Sequence, residues 1–280
     1  MSSIRSRQIQ TASRSDVGRV RSANQDVCGA FENAEGYRLL VVADGMGGHK
    51  GGETASQLAL ETIGNVFDSD FGAAETLLGR AFRAANREIH RVGGSDPALH
   101  GMGTTGVAVL IGPSDQGWVA HVGDSRAYRL RDDHLDQLTE DHSWVYEQVR
   151  RGLMTAEEAD EHPMKNVLLR SIGVGSDVDV STSPIDLRPG DRYLLCSDGL
   201  WGELEDPVIA EVLAREPPAN AVDELIDRAN ARGGRDNVTV LVAALIGADE
   251  APARRSIWTP RTVVAAGLVT AMAIFWRLCA

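Results

Sequence analysis

The stretch Tyr37-Arg-Leu-Leu-Val-Val-Ala-Asp-Gly-Met-Gly-Gly-His49 limits the folds open to this chain more than any other. Its apolar run has the length of one buried strand, and it ends on a carboxylate followed by glycines that let backbone approach a ligand closely. The same order returns in Tyr193-Leu-Leu-Cys-Ser-Asp198-Gly199. Two strands of this kind deliver two carboxylates to one point, a natural place to hold a cation against phosphate oxygens.

With 280 residues and 43% hydrophobic content, the chain can bury a globular core. A formal charge of −12 argues against a nucleic-acid surface, which needs clustered Lys and Arg. Acidic residues gathered in one cleft would attract metal cations instead. Cys28, Cys196 and Cys279 have neither the number nor the spacing of a disulfide framework or a zinc site, which fits a reducing compartment. Residues 1–14 are polar and lack the apolar centre of a secretion signal, so the catalytic part is expected in the cytosol.

Residues 1–7 read as a polar lead, and 15–26 as a strand plus turn. Apolar spacing predicts helices over 53–67 and 73–92, an amphipathic pair suited to covering one face of a sheet. Strands are predicted over 37–43, 104–111, 118–122, 127–130 and 135–138, with Gly123-Asp124-Ser125 as a hairpin turn. The segment 140–172 is polar and broken, with helical pieces at 143–151 and 155–161, and reads as a mobile excursion from the core. Strands over 192–196 and 238–246 enclose helices over 207–214 and 221–232. Strands in runs and helices in pairs predict an α+β fold, with mostly antiparallel sheets shielded by two helical pairs.

Asp44, Asp124, Asp198 and Asp236 share a context, each at a predicted strand end or turn beside Gly, Ser or Asn. Hard oxygen ligands spread along a chain suit Mg²⁺ or Mn²⁺ rather than zinc. Two such ions about 4 Å apart can share a bridging water, lower its pKa and present hydroxide in line with a phosphorus atom. Arg21 is the residue able to hold two phosphate oxygens at once. His49, near the glycine turn, is placed to give a proton to a leaving alkoxide. Asp-Gly pairs are also common turn residues and most arginines are solvated; four carboxylates in one context tip the reading toward a site. Asp141 and His142 read as residues that tie down the loop.

Seven motifs carry a family resemblance over 8–246. They are Asp16-Val-Gly-Arg-Val-Arg21-Ser-Ala-Asn-Gln-Asp26, Val42-Ala-Asp44-Gly-Met-Gly-Gly-His49, Gly103-Thr-Thr105, Val122-Gly-Asp124-Ser-Arg126-Ala-Tyr128, Leu138-Thr-Glu-Asp-His-Ser143, Cys196-Ser-Asp198-Gly199 and Arg235-Asp236-Asn237. In this order and spacing they resemble the bacterial metal-dependent protein serine/threonine phosphatases of type 2C. The resemblance implies a four-layer α-β-β-α sandwich, and hydrolysis of phosphoserine or phosphothreonine on proteins in opposition to a serine/threonine kinase. It implies that Asp44 bridges two Mn²⁺ or Mg²⁺ ions, that the Gly45 carbonyl completes the second site, and that Asp198 and Asp236 ligate the first. Asp26 matches the acidic position that holds metal-bound water, and Asp124 the ligand of a weaker third ion. Arg21 matches the clamp on the substrate phosphate, and 140–172 the family's variable flap. Animal members carry a histidine directly after the Asp-Gly pair; Met46 stands there in this chain, so the resemblance leaves the proton donor unassigned. A monomeric catalytic domain is the matching expectation. The alternatives are a phosphoprotein-binding module without turnover and a phosphoesterase for small molecules.

Beyond the last strand, 247–261 reads as a linker to the uncharged run 262–276, close to the roughly 20 residues of a spanning helix. Trp258 and Trp276 suit interfacial positions, and Arg254, Arg255 and Arg261 on the near side predict a cytoplasmic catalytic domain. Residues 262–280 are therefore expected to form an inner-membrane anchor.

Overall fold

The structure, a computed structural model, describes residues 8–69 and 72–247. Strands β1 (Gln8–Asp16), β2 (Asp26–Glu32) and β3 (Arg38–Met46) lead into helices α1 (Gly48–Ser69) and α2 (Ala74–Ser95). There follow β4 (Gly103–Thr104), β5 (Gly106–Ile111), β6 (Gln116–Val122), β7 (Arg126–Arg131), β8 (His134–Gln137), α3 (Trp144–Arg150) and α4 (Ala156–Asp160). The rest is β9 (Ser181–Asp186), β10 (Arg192–Cys196), α5 (Asp198–Trp201), α6 (Asp206–Arg215), α7 (Pro218–Arg232) and β11 (Val238–Ile246). One sheet has the order β1-β11-β10-β7-β8 and the other β2-β3-β5-β6-β9, with β4 paired to β3. Every pairing among these strands is antiparallel.

Side-chain alternation along β3 explains the layering. Leu39, Val41 and Ala43 pack against α1 and α2 through Ala55, Ala59, Ile63, Leu78, Phe82 and Ile89. Leu40 and Val42 point the other way and meet Tyr193, Leu195, Leu241 and Ala243 of the second sheet. Beyond that sheet, Leu194, Cys196, Val240 and Val242 pack under Leu200, Ile209, Leu213, Leu225 and Ile226 of α5, α6 and α7. A strand buried on both faces has no need of polar alternation, which is why β3, β5 and β11 read as continuous apolar runs. Each buried Leu or Ile contributes about 2 kcal/mol, so three apolar layers rather than helix propensity hold the elements together. The result is the four-layer α+β sandwich that the sequence predicts.

Three differences matter. β1, β2 and β9 were not predicted as strands over these ranges, and all three lie at sheet edges. Pro184 in β9 is tolerated there because an edge strand has backbone N–H positions that need no partner. β3 continues to Met46, so Asp44 sits inside the strand rather than at its end. α1 begins at Gly48 rather than at 53. The 140–172 excursion is pinned at its roots: Trp144 N donates to Val167 O (2.8 Å), Leu169 N to His142 O (2.7 Å), and Thr104 and Ile172 exchange two backbone bonds. Among the described residues no helix is long and apolar enough to cross a membrane. The anchor expected over 262–280 lies outside the described residues.

Candidate active site

Strand pairing brings the acidic residues to one end of the two sheets. Asp26 and Asp44 stand directly opposite each other on β2 and β3, where Cβ atoms are about 5 Å apart and like charges repel. β10 and β11 pair through Cys196 and Val240, so Asp198, just after β10, and Asp236, just before β11, leave the same sheet end. β7 pairs with β10 through Arg126 and Cys196, which adds the β6–β7 turn carrying Asp124.

The glycine after each paired aspartate has a packing role. A Cβ on Gly45 would lie 2.0 Å from the Gly52 carbonyl oxygen, and one on Gly199 would lie 2.0 Å from the Asn237 carbonyl oxygen. These glycines let the start of α1 rest on β3, and α5 on the segment before β11. The sequence suggested glycines for close approach to a ligand; the structure uses these two for backbone packing that seats the carboxylates.

Around Asp44, the main-chain N–H bonds Thr105 Oγ1 (3.1 Å), and the carbonyl accepts from Thr105 N (2.8 Å) and Thr104 Oγ1 (2.8 Å). Gly45 N donates to Gln25 O at 3.1 Å. The buried Asn237 side chain donates to Val17 O (3.0 Å) and Ala23 O (2.9 Å) and accepts from Gln25 N (2.9 Å). It thereby fixes the loop that carries Arg21, whose Nη2 donates to Asp236 Oδ2 at 2.6 Å. The Arg21 side chain remains 54% exposed.

The carboxylates share one electrostatic neighbourhood. Burial, and then the charge of Asp198, push Asp124 up to about 8. Burial raises Asp26 to about 7, with Asp198 adding to it, and burial with Asp236 raises Asp198 to about 6. Asp44 lies well above the ordinary carboxylate range, through burial and then the charges of Asp26, Asp198, Asp124 and Asp236. Asp26 Oδ1 and Asp198 Oδ1 are buried with no hydrogen-bond partner, an expensive state for an acceptor unless something else satisfies it. Hard oxygens, uncompensated negative charge and two orphaned buried acceptors fit a divalent cation. Among the described residues no three His, Cys, Asp or Glu side chains form a ready-made cage.

The structure thus brings together Asp26, Asp44, Asp124, Asp198 and Asp236, with Arg21 on Asp236 and Gly45 buried beneath Gly52. His49 lies in the first turn of α1, but its side chain is outside the described residues. Asp141 forms a bidentate ion pair with Arg126, and His142 exchanges bonds with Gly123, so both tie the excursion to the Asp124 turn. Sequence reasoning gave no role to Thr104, Thr105, Asn237 or Ser197, the last of which donates to Asp26 Oδ2 at 2.6 Å.

Residues 18–243 match the family model described as Protein phosphatase 2C. The serine/threonine phosphatase stp of Listeria innocua is 40% identical over 235 residues, covering 82% of this chain and 93% of the relative. The crystal structure of the Mycobacterium tuberculosis serine/threonine phosphatase PstP/Ppp is similar at 41% identity and a TM-score of 0.79, over 85% of this chain and 99% of that one. The catalytic domain of PstP in complex with two manganese ions is similar at 40% identity and a TM-score of 0.77, over 85% and 99%. On the fold, the seven motifs and these similarities, the chain belongs to the protein phosphatase 2C family.

Proposed function

We propose that this chain hydrolyses phosphoserine and phosphothreonine on protein substrates, with Asp44, Asp198 and Asp236 holding a pair of Mn²⁺ or Mg²⁺ ions. As a member of its family it is a metal-dependent protein phosphatase. When bound, the cations supply a lowered pKa for water and positive charge against the phosphoryl oxygens. With the ions bound, Asp44 would serve both of them, the Gly45 carbonyl would add a neutral oxygen, Asp26 would hold metal-bound water and Asp124 would serve a weaker third ion. The reading rests above all on Asp26 Oδ1 and Asp198 Oδ1, two buried acceptors without partners inside a crowd of like charges.

The chain's own residues then divide the work. Thr104 and Thr105 hold the Asp44 main chain, which fixes where its carboxylate points. Asn237 holds the loop that positions Arg21. Released from Asp236, the exposed Arg21 guanidinium can grip two oxygens of an arriving phosphate. His49, in the first turn of α1, is the proposed proton donor to the leaving hydroxyl.

Phosphate release from a phosphothreonine peptide tests this. Activity should require Mn²⁺, vanish with chelator, and fall by more than about a hundredfold in Asp44→Ala and Asp236→Asn, beyond the loss typical of outer-sphere partners. Wild-type activity in either variant would refute the assigned site. The same reading includes a kinase whose phosphorylations the enzyme reverses, a monomeric catalytic domain, and inner-membrane attachment through 262–280. Deleting 258–280 should release an active enzyme from the membrane fraction; a full chain that never sediments with membranes would refute the anchor.

A further inference from the structure

Ser197 is fully buried and occupies the N-cap of α5, with extended backbone at φ −78° and ψ 172°, yet its side chain makes no cap hydrogen bond. Serine at this position ordinarily accepts from one of the first free N–H groups of its own helix. Here Oγ accepts instead from Thr239 N at 3.0 Å and stands 2.6 Å from Asp26 Oδ2. A hydroxyl has one proton to give. The other acceptor within range, Asn237 O, is at 3.5 Å, so the proton belongs to Asp26.

The hydroxyl is also held in place. Ser197 N donates to Thr239 O at 3.1 Å, so the two residues are joined by a pair of bonds that fixes the Ser197 rotamer. Thr239, itself fully buried, bonds Ser15 Oγ at 2.6 Å. Asn24 Nδ2 donates to Ser15 Oγ at 2.7 Å, and Asn24 Oδ1 accepts from Asp26 N at 3.1 Å. The string therefore begins and ends on Asp26, gripping its side chain through Ser197 and its main chain through Asn24. It crosses from one sheet to the other, joining β1 and β11 to β2. The atom it leaves over is Asp26 Oδ1, buried and unpartnered.

We propose that Ser197 is a positioning residue for the metal centre: it forgoes capping α5 in order to hold one carboxylate oxygen of Asp26, so that the other is presented to a divalent ion or its water. This rests on the reading that places Asp26 in the metal site. Outer-sphere partners of this kind typically change metal affinity by about 10–100-fold.

The test is Mn²⁺ affinity by titration calorimetry on the folded full chain, for wild type, Asp26→Asn, Ser197→Ala and Ser197→Cys, with thermal unfolding recorded beside it. Alanine adds no volume and removes no cap bond, and cysteine keeps the size while giving a poor donor, so the second variant stands in should the first fold badly. The expected result is affinity weakened about tenfold or more in both serine variants and in Asp26→Asn. If Asp26→Asn is weakened while both serine variants bind Mn²⁺ as wild type does, whatever their melting temperature, Ser197 is merely structural and the proposal is overturned. If Asp26→Asn itself binds as wild type does, the placement of Asp26 in the metal site fails, and the proposal falls with it for that separate reason.

Discussion

Replacing Arg126 with methionine should cost this protein about 4 kcal/mol of folding stability. The guanidinium donates to both Asp141 oxygens, at 3.0, 3.2 and 2.7 Å, and to the Tyr128 hydroxyl at 3.0 Å. It also lies 3.7 Å from the centre of the Trp201 ring. The two paired side chains are only 18% and 5% exposed. Methionine would strand the Asp141 carboxylate with a weak donor, Gln137 Nε2, at 3.3 Å. Removing one partner of a buried pair costs about 3–5 kcal/mol, chiefly from the stranded charge, and the lost ring contact adds about 1 kcal/mol. The double variant Arg126→Met/Asp141→Leu strands no charge and should cost less than about 2 kcal/mol, so the two changes are strongly non-additive. Equilibrium urea unfolding followed by tryptophan fluorescence reads both quantities. A single variant that costs less than about 1 kcal/mol, or a double variant that costs the sum of the singles, would refute the reasoning.

Asp124 gives a pH test of the carboxylate crowd. Burial and Asp198 raise its pKa from 3.8 to about 8, and an acid raised in the folded state loses its contribution to stability as pH climbs from the unfolded toward the folded value. In chelator, Asp124→Asn should gain on wild type by about 3 kcal/mol between about pH 5 and about pH 8 in urea unfolding; a difference flat with pH would contradict the crowding. Gly199→Ala sets a methyl 2.0 Å from the Asn237 carbonyl oxygen, so α5 must shift, stability should fall by about 1–3 kcal/mol and Mn²⁺-dependent phosphate release should fall with it. An unchanged melting temperature and rate would show that the Asp198 seat has slack.

What could be read from sequence follows burial. β3, β10 and β11 are buried on both faces, so their apolar runs announce them. β1, with Gln8, Gln10, Ser13 and Arg14, and β9, with Ser181, Ser183 and Pro184, are half-exposed edges whose identity comes from hydrogen bonding to a distant partner. The early start of α1 also had no local cue. Gly48, Gly51 and Gly52 are poor helix formers, and it is the fit of Gly52 against Gly45 that overrides propensity. Asp44, Asp198 and Asp236 were legible from strand ends and repetition. Asp26 was legible only through the family resemblance, because its strand was not. Ser197 was invisible: its bond to Thr239 spans 42 residues and its bond to Asp26 spans 171.

Whether Asp44, Asp198 and Asp236 share divalent cations is tested most directly by diffraction from Mn²⁺-grown crystals, with data collected at the manganese absorption edge. Two anomalous peaks are predicted, both within about 2.5 Å of Asp44 oxygens and one of them also touching Asp198 and Asp236. A map with manganese only elsewhere on the acidic surface, and no peak within coordination reach of Asp44, would contradict the assignment.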